Sequence, residues 1–251
     1  MLLRISPMSA ILNVSAYRFV ELADPHGWRE HIRARAAGLK GTVLLAEEGL
    51  NLFLAGADET LRGFVAWLRA QPPFDGLEVK ESWSEAPPFR RLKVKVKREI
   101  IRMNHPTVRP QRRRAPVLDA ATLARWLERG RDDQGREVVT LDTRNAFEVD
   151  AGRFAGALDW RLARFSDFPA AARAQREALA GKTVVSYCTG GIRCEKAALF
   201  LQDAGLDDVW QLDGGLLKYF EATGGRHFEG RCFVFDEREL LDTALRPALP
   251  L

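Results

Sequence analysis

A cysteine and an arginine stand where an apolar strand gives way to a helix, in the stretch VVSYCTGGIRCEKAALF. Cys188 ends the apolar run, two glycines follow, and Arg193 and Cys194 begin a segment rich in alanine and leucine. Glycines let consecutive backbone N–H groups turn toward one point, and the start of a helix adds its positive dipole end. These groups and Arg193 favour a thiolate over a thiol, so the pattern predicts that Cys188 is a reactive nucleophile.

Four interpretations of this loop compete. A buried structural cysteine would leave the paired glycines and the arginine unexplained. A zinc site is disfavoured because five residues separate Cys188 from Cys194 and the sequence offers no second pair of ligands. A phosphatase loop has five residues between cysteine and arginine, whereas Arg193 follows Cys188 after four, which leaves less room for a phosphate group. A loop that holds a reactive sulfur fits best, and its residues after Cys188 are Thr189, Gly190, Gly191, Ile192, Arg193 and Cys194.

The elements around this loop predict a parallel-sheet α/β domain over residues 117–225. Strands are expected at EVVTLDTR, KTVVSYC and DVWQL, and helices at VLDAATLARWLERG, FPAAARAQREALAG and CEKAALFLQDAG. In an open parallel sheet ligands bind beyond the carboxyl ends of the strands, which is where Cys188 lies. Residues 226–251 are expected to form a C-terminal tail that packs on the body, with RCFVFD as a strand.

Residues 1–104 predict a different domain. Between residues 10 and 102 the order strand–helix–strand–strand–helix–strand is typical of a ferredoxin-like α+β sandwich. Asp24 and Pro25 mark the start of the first helix. The second helix has the apolar spacing of an amphipathic helix, at Leu61, Phe64, Val65 and Leu68.

Positive charge is concentrated between Arg90 and Arg114. This stretch holds eleven Lys or Arg and a single acid, Glu99, whereas the whole chain has a net charge of +4. Residues 105–116 contain three prolines and predict a basic linker. Such a local excess indicates a polyanionic partner such as nucleic acid, although a solvated strand face and an ordinary charged linker are the alternative. The candidate phosphate-binding residues are Lys93, Lys95 and Lys97 on one strand face and Arg112, Arg113 and Arg114 in the linker.

The bulk composition is typical of a cytoplasmic globular protein. Hydrophobic residues make up 46% of the 251 and charged residues 29%, with no apolar run long enough to span a membrane. Three cysteines are too few and too irregular for a disulfide framework. No flavin-type glycine motif follows a strand, and the four histidines are scattered, so the sequence supports neither a named cofactor nor a metal site.

The motifs of the C-terminal half resemble those of rhodanese domains. YCTGGIRC is similar to the rhodanese active-site loop, whose first cysteine carries a persulfide. LDTRNAFEVDAGRFAGALDW resembles the segment that precedes this loop, with Arg153 where histidine is more usual, and LDGGLLKYF resembles the segment that closes such domains. The resemblance implies that Asp142 and Arg144 form a structural pair beside the loop and are not catalysts.

Over residues 10–240 the chain resembles the tRNA uridine(34) hydroxylase family. The motifs that carry the resemblance are LKGTVLLAEEGLN, FRRLKVKVKREII, CTGGIRCEK and GRCFVFDER, in this order. Members join a ferredoxin-like domain to a rhodanese domain and convert the wobble uridine of certain tRNAs to 5-hydroxyuridine with molecular oxygen. The resemblance therefore implies tRNA as partner and oxygen as co-substrate. Glu48, Gly49 and Asn51 match the N-terminal motif, although a tight turn between two strands explains the glycine equally well.

A thiolate at Cys188 would add to C6 of the uracil ring, placing negative charge on C5 and opening it to oxygen. The loop N–H groups would stabilise the sulfur, and Arg193 would stabilise charge on a ring carbonyl. For Cys194 a packing or capping role is favoured over a resolving thiol, and Cys232 is interpreted as structural.

Two other functions stay open from sequence alone. One is a sulfurtransferase that carries a persulfide on Cys188, and the other is a non-enzymatic RNA-binding or protein-interaction module. Recognition of a single base in RNA also requires an aromatic platform. The sequence candidates are Trp83, Phe89 and Trp160, each of which a place in the core explains better.

Overall fold

A computed structural model describes residues 10–248. The chain divides into two compact units, the first ending at Lys97 and the second beginning at Arg98. The outer ends of the predicted N-terminal domain and C-terminal tail, residues 1–9 and 249–251, lie outside the described residues.

The first unit is a five-stranded mixed sheet with two helices. Its elements are β1 (Ile11–Phe19), α1 (Pro25–Arg35), β2 (Lys40–Ala46), β3 (Gly49–Gly56), α2 (Asp58–Arg69), β4 (Val79–Ser84) and β5 (Leu92–Val96). The strand order is β4-β1-β3-β2-β5, in which β5 runs parallel to β2 and the other neighbours are antiparallel. The ferredoxin-like sandwich is therefore confirmed, with β5 added at one edge.

Local signals in the sequence explain why these elements form. The Asp24 carboxylate accepts a hydrogen bond from Gly27 N–H at 2.8 Å, which caps the first turn of α1. The predicted apolar face of α2 is buried in one cluster with residues of both helices and the sheet. Along β5, Val94 is buried whereas Lys93 and Lys95 are exposed, as the two-residue period of a strand requires.

The second unit is built on a five-stranded parallel sheet of order β6-β11-β10-β7-β9. Its elements are β6 (Val117–Leu118), α3 (Ala120–Arg129), β7 (Val138–Asp142), α4 (Ala146–Ala151), β8 (Gly152–Phe154), β9 (Leu158–Asp159), α5 (Phe168–Gln175), β10 (Thr183–Tyr187), α6 (Ile192–Asp203), β11 (Val209–Leu212), α7 (Gly215–Thr223), β12 (Phe228–Gly230), β13 (Cys232–Phe233) and β14 (Leu240–Leu241). The predicted parallel α/β fold is confirmed. Helices α4 and α7 were not predicted.

Strand β10 lies at the centre of this sheet and is buried along its whole length. Val184 packs with residues of α5 and α6 in one apolar cluster, whereas Val185 and Tyr187 pack with residues of α3 and α7 in another. This alternation follows from the pleat, which points successive side chains to opposite faces. Cys188 therefore leaves the sheet at the carboxyl end of a fully packed strand, which fixes where its side chain can lie.

Residues 98–116 are packed as part of the second unit. Val108 and Ala115 are buried in the apolar cluster that also holds α5 and α6. The units therefore divide at the end of β5 rather than after residue 104, and the segment predicted as a linker, 105–116, is anchored by its apolar side chains.

The C-terminal segment forms two small antiparallel sheets. β12 pairs with β8, and β13, which lies within the predicted RCFVFD strand, pairs with β14. These pairings carry the chain from α7 back to the segment that follows α4. Among the described residues, no helix is both long enough and apolar enough to cross a membrane.

Candidate active site

The sulfur of Cys188 lies at the end of β10 and is surrounded by backbone amides. Its side chain is 1% exposed, and Gly191 N–H donates to Sγ at 3.1 Å. The N–H groups of Arg193 and Cys194, in the first turn of α6, also lower the pKa of this thiol. Gly191 has a φ of +99°, in the left-handed region that favours glycine, so its N–H can face inward. The arrangement is an anion-binding turn at a helix N-terminus.

These contacts make Cys188 acidic. Burial alone would raise the pKa of the Cys188 thiol. The hydrogen bond with the Cys194 thiol, the charge of Arg193 and the α6 amides together outweigh burial and lower the pKa to about 5. An ordinary cysteine has a pKa of about 8.5. Cys188 is therefore a thiolate at neutral pH.

Cys194 has the opposite character. Burial and its hydrogen bond with Cys188 raise the pKa of the Cys194 thiol well above its ordinary value. The Cys194 sulfur also lies 2.8 Å from the Gly191 carbonyl oxygen, so its single proton is shared between that oxygen and the Cys188 sulfur. Cys194 therefore stays protonated and closes the first turn of α6, consistent with the capping role favoured from sequence.

Arg193 is buried and held by Glu148 of α4. Its Nη1 and Nη2 donate to the two carboxylate oxygens of Glu148 at 2.6 and 2.7 Å. Glu148 also accepts a hydrogen bond from Asn145 N–H at 3.1 Å. The sequence predicted that Arg193 stabilises charge on a ring carbonyl, whereas the contacts shown for its Nη groups are those with Glu148. Arg193 instead supplies positive charge beside the sulfur of Cys188.

The start of α7 supports the other side of the loop. Leu216 N–H donates to the Cys188 carbonyl at 2.9 Å, and Leu217 N–H donates to the Thr189 carbonyl at 3.1 Å. The LDGGLLKYF segment is thus an active-site support, because its first helical amides fix the backbone that carries the nucleophile.

Gly215 makes this close approach possible. It has a φ of +67°, and a Cβ built there would lie 2.4 Å from the Cys188 carbonyl oxygen and 2.7 Å from the Gly191 nitrogen. By contrast, a Cβ on Gly190 would meet no atom within 4 Å. The narrow loop therefore depends on Gly191 and Gly215 more than on Gly190.

Asp142 and Arg144 form a fully buried ion pair at the end of β7. Arg144 Nη2 lies 2.6 Å from Asp142 Oδ2 and also donates to the Gly152 carbonyl at 2.6 Å. The guanidinium lies 5.7 Å from the centroid of the Tyr187 ring, one residue before Cys188. The pair therefore braces β7 against β10 and has no direct contact with the sulfur among the described interactions.

Cys232 lies behind the loop. It is fully buried, and burial raises the pKa of its thiol to about 11. Next to it, the Phe233 carbonyl accepts a hydrogen bond from Thr189 Oγ1 at 3.3 Å. These contacts fit the structural role expected for Cys232 and join the C-terminal segment to the loop.

The basic candidates lie on both units. Lys93, Lys95 and Lys97 are exposed in the first unit. In the second unit Arg112, Arg113 and Arg114 are exposed, but Arg113 pairs with Asp203 and Arg114 lies 3.6 Å from Glu195. The strand lysines thus keep more of their charge available to a partner than these two arginines do.

The remaining candidates are held by the fold. Gly49 has a φ of +140°, and a Cβ there would lie 2.0 Å from the Arg18 carbonyl oxygen, so the contact of β3 with β1 requires glycine. Glu48 and Asn51 are buried beside it.

Of the aromatic candidates, Trp83 is 46% exposed, whereas Phe89 and Trp160 are half-buried. Within residues 10–248 no three or more His, Cys, Asp or Glu side chains are grouped to hold a metal ion.

Sequence reasoning missed two residues of this site. Glu148 could have been placed in the first turn of a helix, because an asparagine with a glutamate three residues later (Asn145 and Glu148) is a signature of a helix start. Gly215 stands in a glycine pair after a strand, but its contact with Cys188 depends on tertiary structure.

The comparisons with known proteins agree with this architecture. Residues 11–100 match the UPF0176 acylphosphatase like domain, and residues 120–222 match the rhodanese-like domain. A tRNA uridine(34) hydroxylase of Bordetella pertussis is 62% identical over 242 residues, covering 96% of this chain and 99% of the relative. The proteins of that name from Delftia acidovorans and Burkholderia cenocepacia are 59% and 54% identical, over 96% and 94% of this chain and 93% and 86% of theirs.

Proposed function

The chain belongs to the tRNA uridine(34) hydroxylase family, and we propose that it converts uridine 34 of tRNA to 5-hydroxyuridine with Cys188 as its nucleophile. The observation that carries this assignment is the position of the Cys188 sulfur, which accepts a hydrogen bond from Gly191 N–H at 3.1 Å where a parallel strand ends and α6 begins. Oxygen is the co-substrate, and tRNA in the cytoplasm is the substrate.

The proposed reaction begins when the Cys188 sulfur forms a bond to C6 of the uracil ring. The C5–C6 π electrons move to C5, which attacks molecular oxygen to give a C5 hydroperoxide. An external two-electron reductant, such as a small thiol, cleaves the O–O bond and releases one oxygen as water. Loss of the C5 proton and of the Cys188 thiolate then restores the double bond. Uridine, oxygen, two electrons and two protons thus give 5-hydroxyuridine and water.

The protein contributes a thiolate that is ionised before the substrate binds. Gly191 N–H and the first amides of α6 stabilise the charge of the sulfur both before attack and when it leaves. Glu148 fixes Arg193 so that its charge stays beside the thiolate. Asp142 and Arg144 hold the strand ends that carry the loop.

Binding of the tRNA backbone is proposed for Lys93, Lys95 and Lys97, with Arg112, Arg113 and Arg114 as weaker contributors. For Glu48, Gly49 and Asn51 we propose a structural role in the first unit, where β3 contacts β1. The sulfurtransferase alternative has less support, because the curated relatives carry the hydroxylase name and a small anionic sulfur donor has no need of exposed lysines.

The test uses purified wild-type protein, tRNA containing uridine 34, a thiol reductant and ¹⁸O-labelled oxygen, with nucleosides analysed by mass spectrometry. We expect one labelled oxygen in 5-hydroxyuridine with the wild type and none with Cys188→Ala. Cys232→Ala, which removes a buried thiol outside the amide cradle, is the matched control and should retain product formation. A thiolated nucleoside would support the sulfurtransferase instead, and a fully active Cys188→Ala would refute the nucleophile.

A further inference from the structure

Three phenylalanine rings form a cluster beside the Cys188 loop that the proposed chemistry does not use. Phe147 belongs to α4, Phe233 to β13, and Phe235 to the turn that follows. The ring centroids are 5.1 Å apart for Phe147 and Phe233, 5.3 Å for Phe233 and Phe235, and 6.3 Å for Phe147 and Phe235. Phe147 is 50% exposed and Phe235 is 56% exposed. Clustered aromatic rings in water are typical of a binding surface.

The cluster is continuous with the active-site loop. The Arg193 guanidinium lies 6.0 Å from the centroid of the Phe235 ring while it bonds to Glu148, the residue after Phe147. The Thr189 hydroxyl donates to the Phe233 carbonyl at 3.3 Å. The rings are therefore linked to the groups that position the thiolate: Phe235 contacts Arg193, and Phe147 precedes Glu148 in the chain. The backbone of Phe233 is bonded to Thr189.

The turn that presents Phe235 is held in a defined shape. Arg238 pairs with Asp236 at 2.6 Å, and both side chains are largely buried. Val234 N–H donates to the Glu239 carbonyl at 2.8 Å, which closes the turn. An exposed aromatic ring on such a turn is preorganised, so a ligand can cover it without first ordering the chain.

We propose that Phe147 and Phe235 form a stacking platform for one unpaired nucleobase of the anticodon loop. This inference rests on the proposed function, since it takes tRNA as the substrate. Single-stranded RNA is bound chiefly through bases stacked on aromatic side chains, and the thiolate of Cys188 requires a base that has left its stack. Phenyl rings offer no hydrogen bond to a base edge, so the platform supplies affinity and position without reading base identity.

The test measures tRNA binding and hydroxylation by Phe235→Ala and Phe147→Ala, with Phe235→Trp as the variant that keeps an aromatic face. We expect each alanine variant to raise the Kd for tRNA and the KM about 10-fold, the effect of losing one base stack. Phe235→Trp should restore wild-type values. Trp83→Ala, at an exposed aromatic in the other unit that was one of three sequence candidates, is the control and should leave both constants unchanged.

An RNA series separates a stacking role from a structural one. Anticodon stem-loops are prepared with an abasic nucleotide at each loop position in turn. For one position the Phe235→Ala effect should fall from about 10-fold to less than about twofold, because the base that stacks is already missing. The rate of Cys188 alkylation should be the same in wild type and variant, which shows that the loop is intact.

The outcomes are distinguishable. Equal effects of Phe235→Ala on every abasic RNA, or no effect on Kd, would overturn the platform while leaving hydroxylation by the wild type untouched. If the wild type makes no 5-hydroxyuridine, the proposed function fails, yet the coupling between Phe235 and one base can still be read from binding alone.

Discussion

Replacing Gly215 with alanine tests the claim that the start of α7 holds the Cys188 loop in its reactive shape. Gly215 and Gly224 lie at the two ends of α7, with φ angles of +67° and +65°. Alanine at either position suffers a similar left-handed backbone penalty, about 1 kcal/mol. A Cβ on Gly224 would meet no atom within 4 Å, so Gly224→Ala is a control with the same strain and no clash.

The clash at Gly215 determines the size of the expected effect. Its added Cβ would lie 2.4 Å from the Cys188 carbonyl oxygen, so the loop backbone must move by roughly 1 Å to restore ordinary contact. Such a shift weakens the 3.1 Å hydrogen bond from Gly191 to the sulfur. A displacement of about 1 Å at a reacting atom can cost about 100-fold in rate. We expect Gly215→Ala to lose about that factor in kcat/KM and to raise the pKa of Cys188.

The assay combines hydroxylation kinetics with the pH dependence of iodoacetamide alkylation at Cys188 and a thermal melt. Gly224→Ala should melt about 2–4 °C below the wild type because of the backbone penalty, and Gly215→Ala should melt lower still because it adds the clash. The loss of activity and the shift in the pKa should be confined to Gly215→Ala. If the kcat/KM values of the two variants agree within about threefold and their alkylation midpoints fall at the same pH, the Cys188 loop does not depend on α7 in the way described.

Three further predictions concern charge. Alkylation of Cys188 should reach half its maximal rate near pH 5. This folded-state pKa lies below the unfolded value of about 8.5, so ionisation of Cys188 should stabilise the fold fully above about pH 8.5. That stabilisation should be lost as the pH falls through 5, as measured by urea unfolding of the wild type against Cys188→Ser. Glu148→Gln leaves the buried charge of Arg193 without its partner and should lower the free energy of unfolding by about 3–5 kcal/mol; a loss below about 1 kcal/mol in urea titrations would contradict the pairing. Lys93→Ala with Lys95→Ala should weaken tRNA binding and reduce the slope of log K against log salt by about 1–2, and an unchanged slope in filter binding would remove this strand from the interface.

Local signals predicted the elements whose causes are local. The cap at Asp24, the apolar face of α2 and the alternation in β5 all appear as expected, because each depends on neighbours along the chain. The position of Cys188 at the end of a buried parallel strand was predictable for the same reason.

What sequence could not supply depends on contacts between distant segments. The bidentate bond between Glu148 and Arg193 spans 45 residues, and no pattern shows that it takes up both Nη groups. The segment predicted as a linker packs on the second unit because Val108 and Ala115 are buried in an apolar cluster there. The prolines and arginines of this segment did not indicate that packing. The approach of Gly215 to Cys188 likewise exists only in the folded chain.

The almost complete enclosure of Cys188, which is 1% exposed, has a consequence for the oxidation of its thiolate. An acidic thiol is the kind that peroxide converts stepwise to sulfenic, sulfinic and sulfonic acids, the last two irreversibly for most enzymes. Enclosure limits how often a small reagent reaches the sulfur, so oxidation and alkylation of Cys188 should both be slower than its low pKa alone would give. The fold thus lowers the rate of irreversible damage at the one atom on which the proposed chemistry depends.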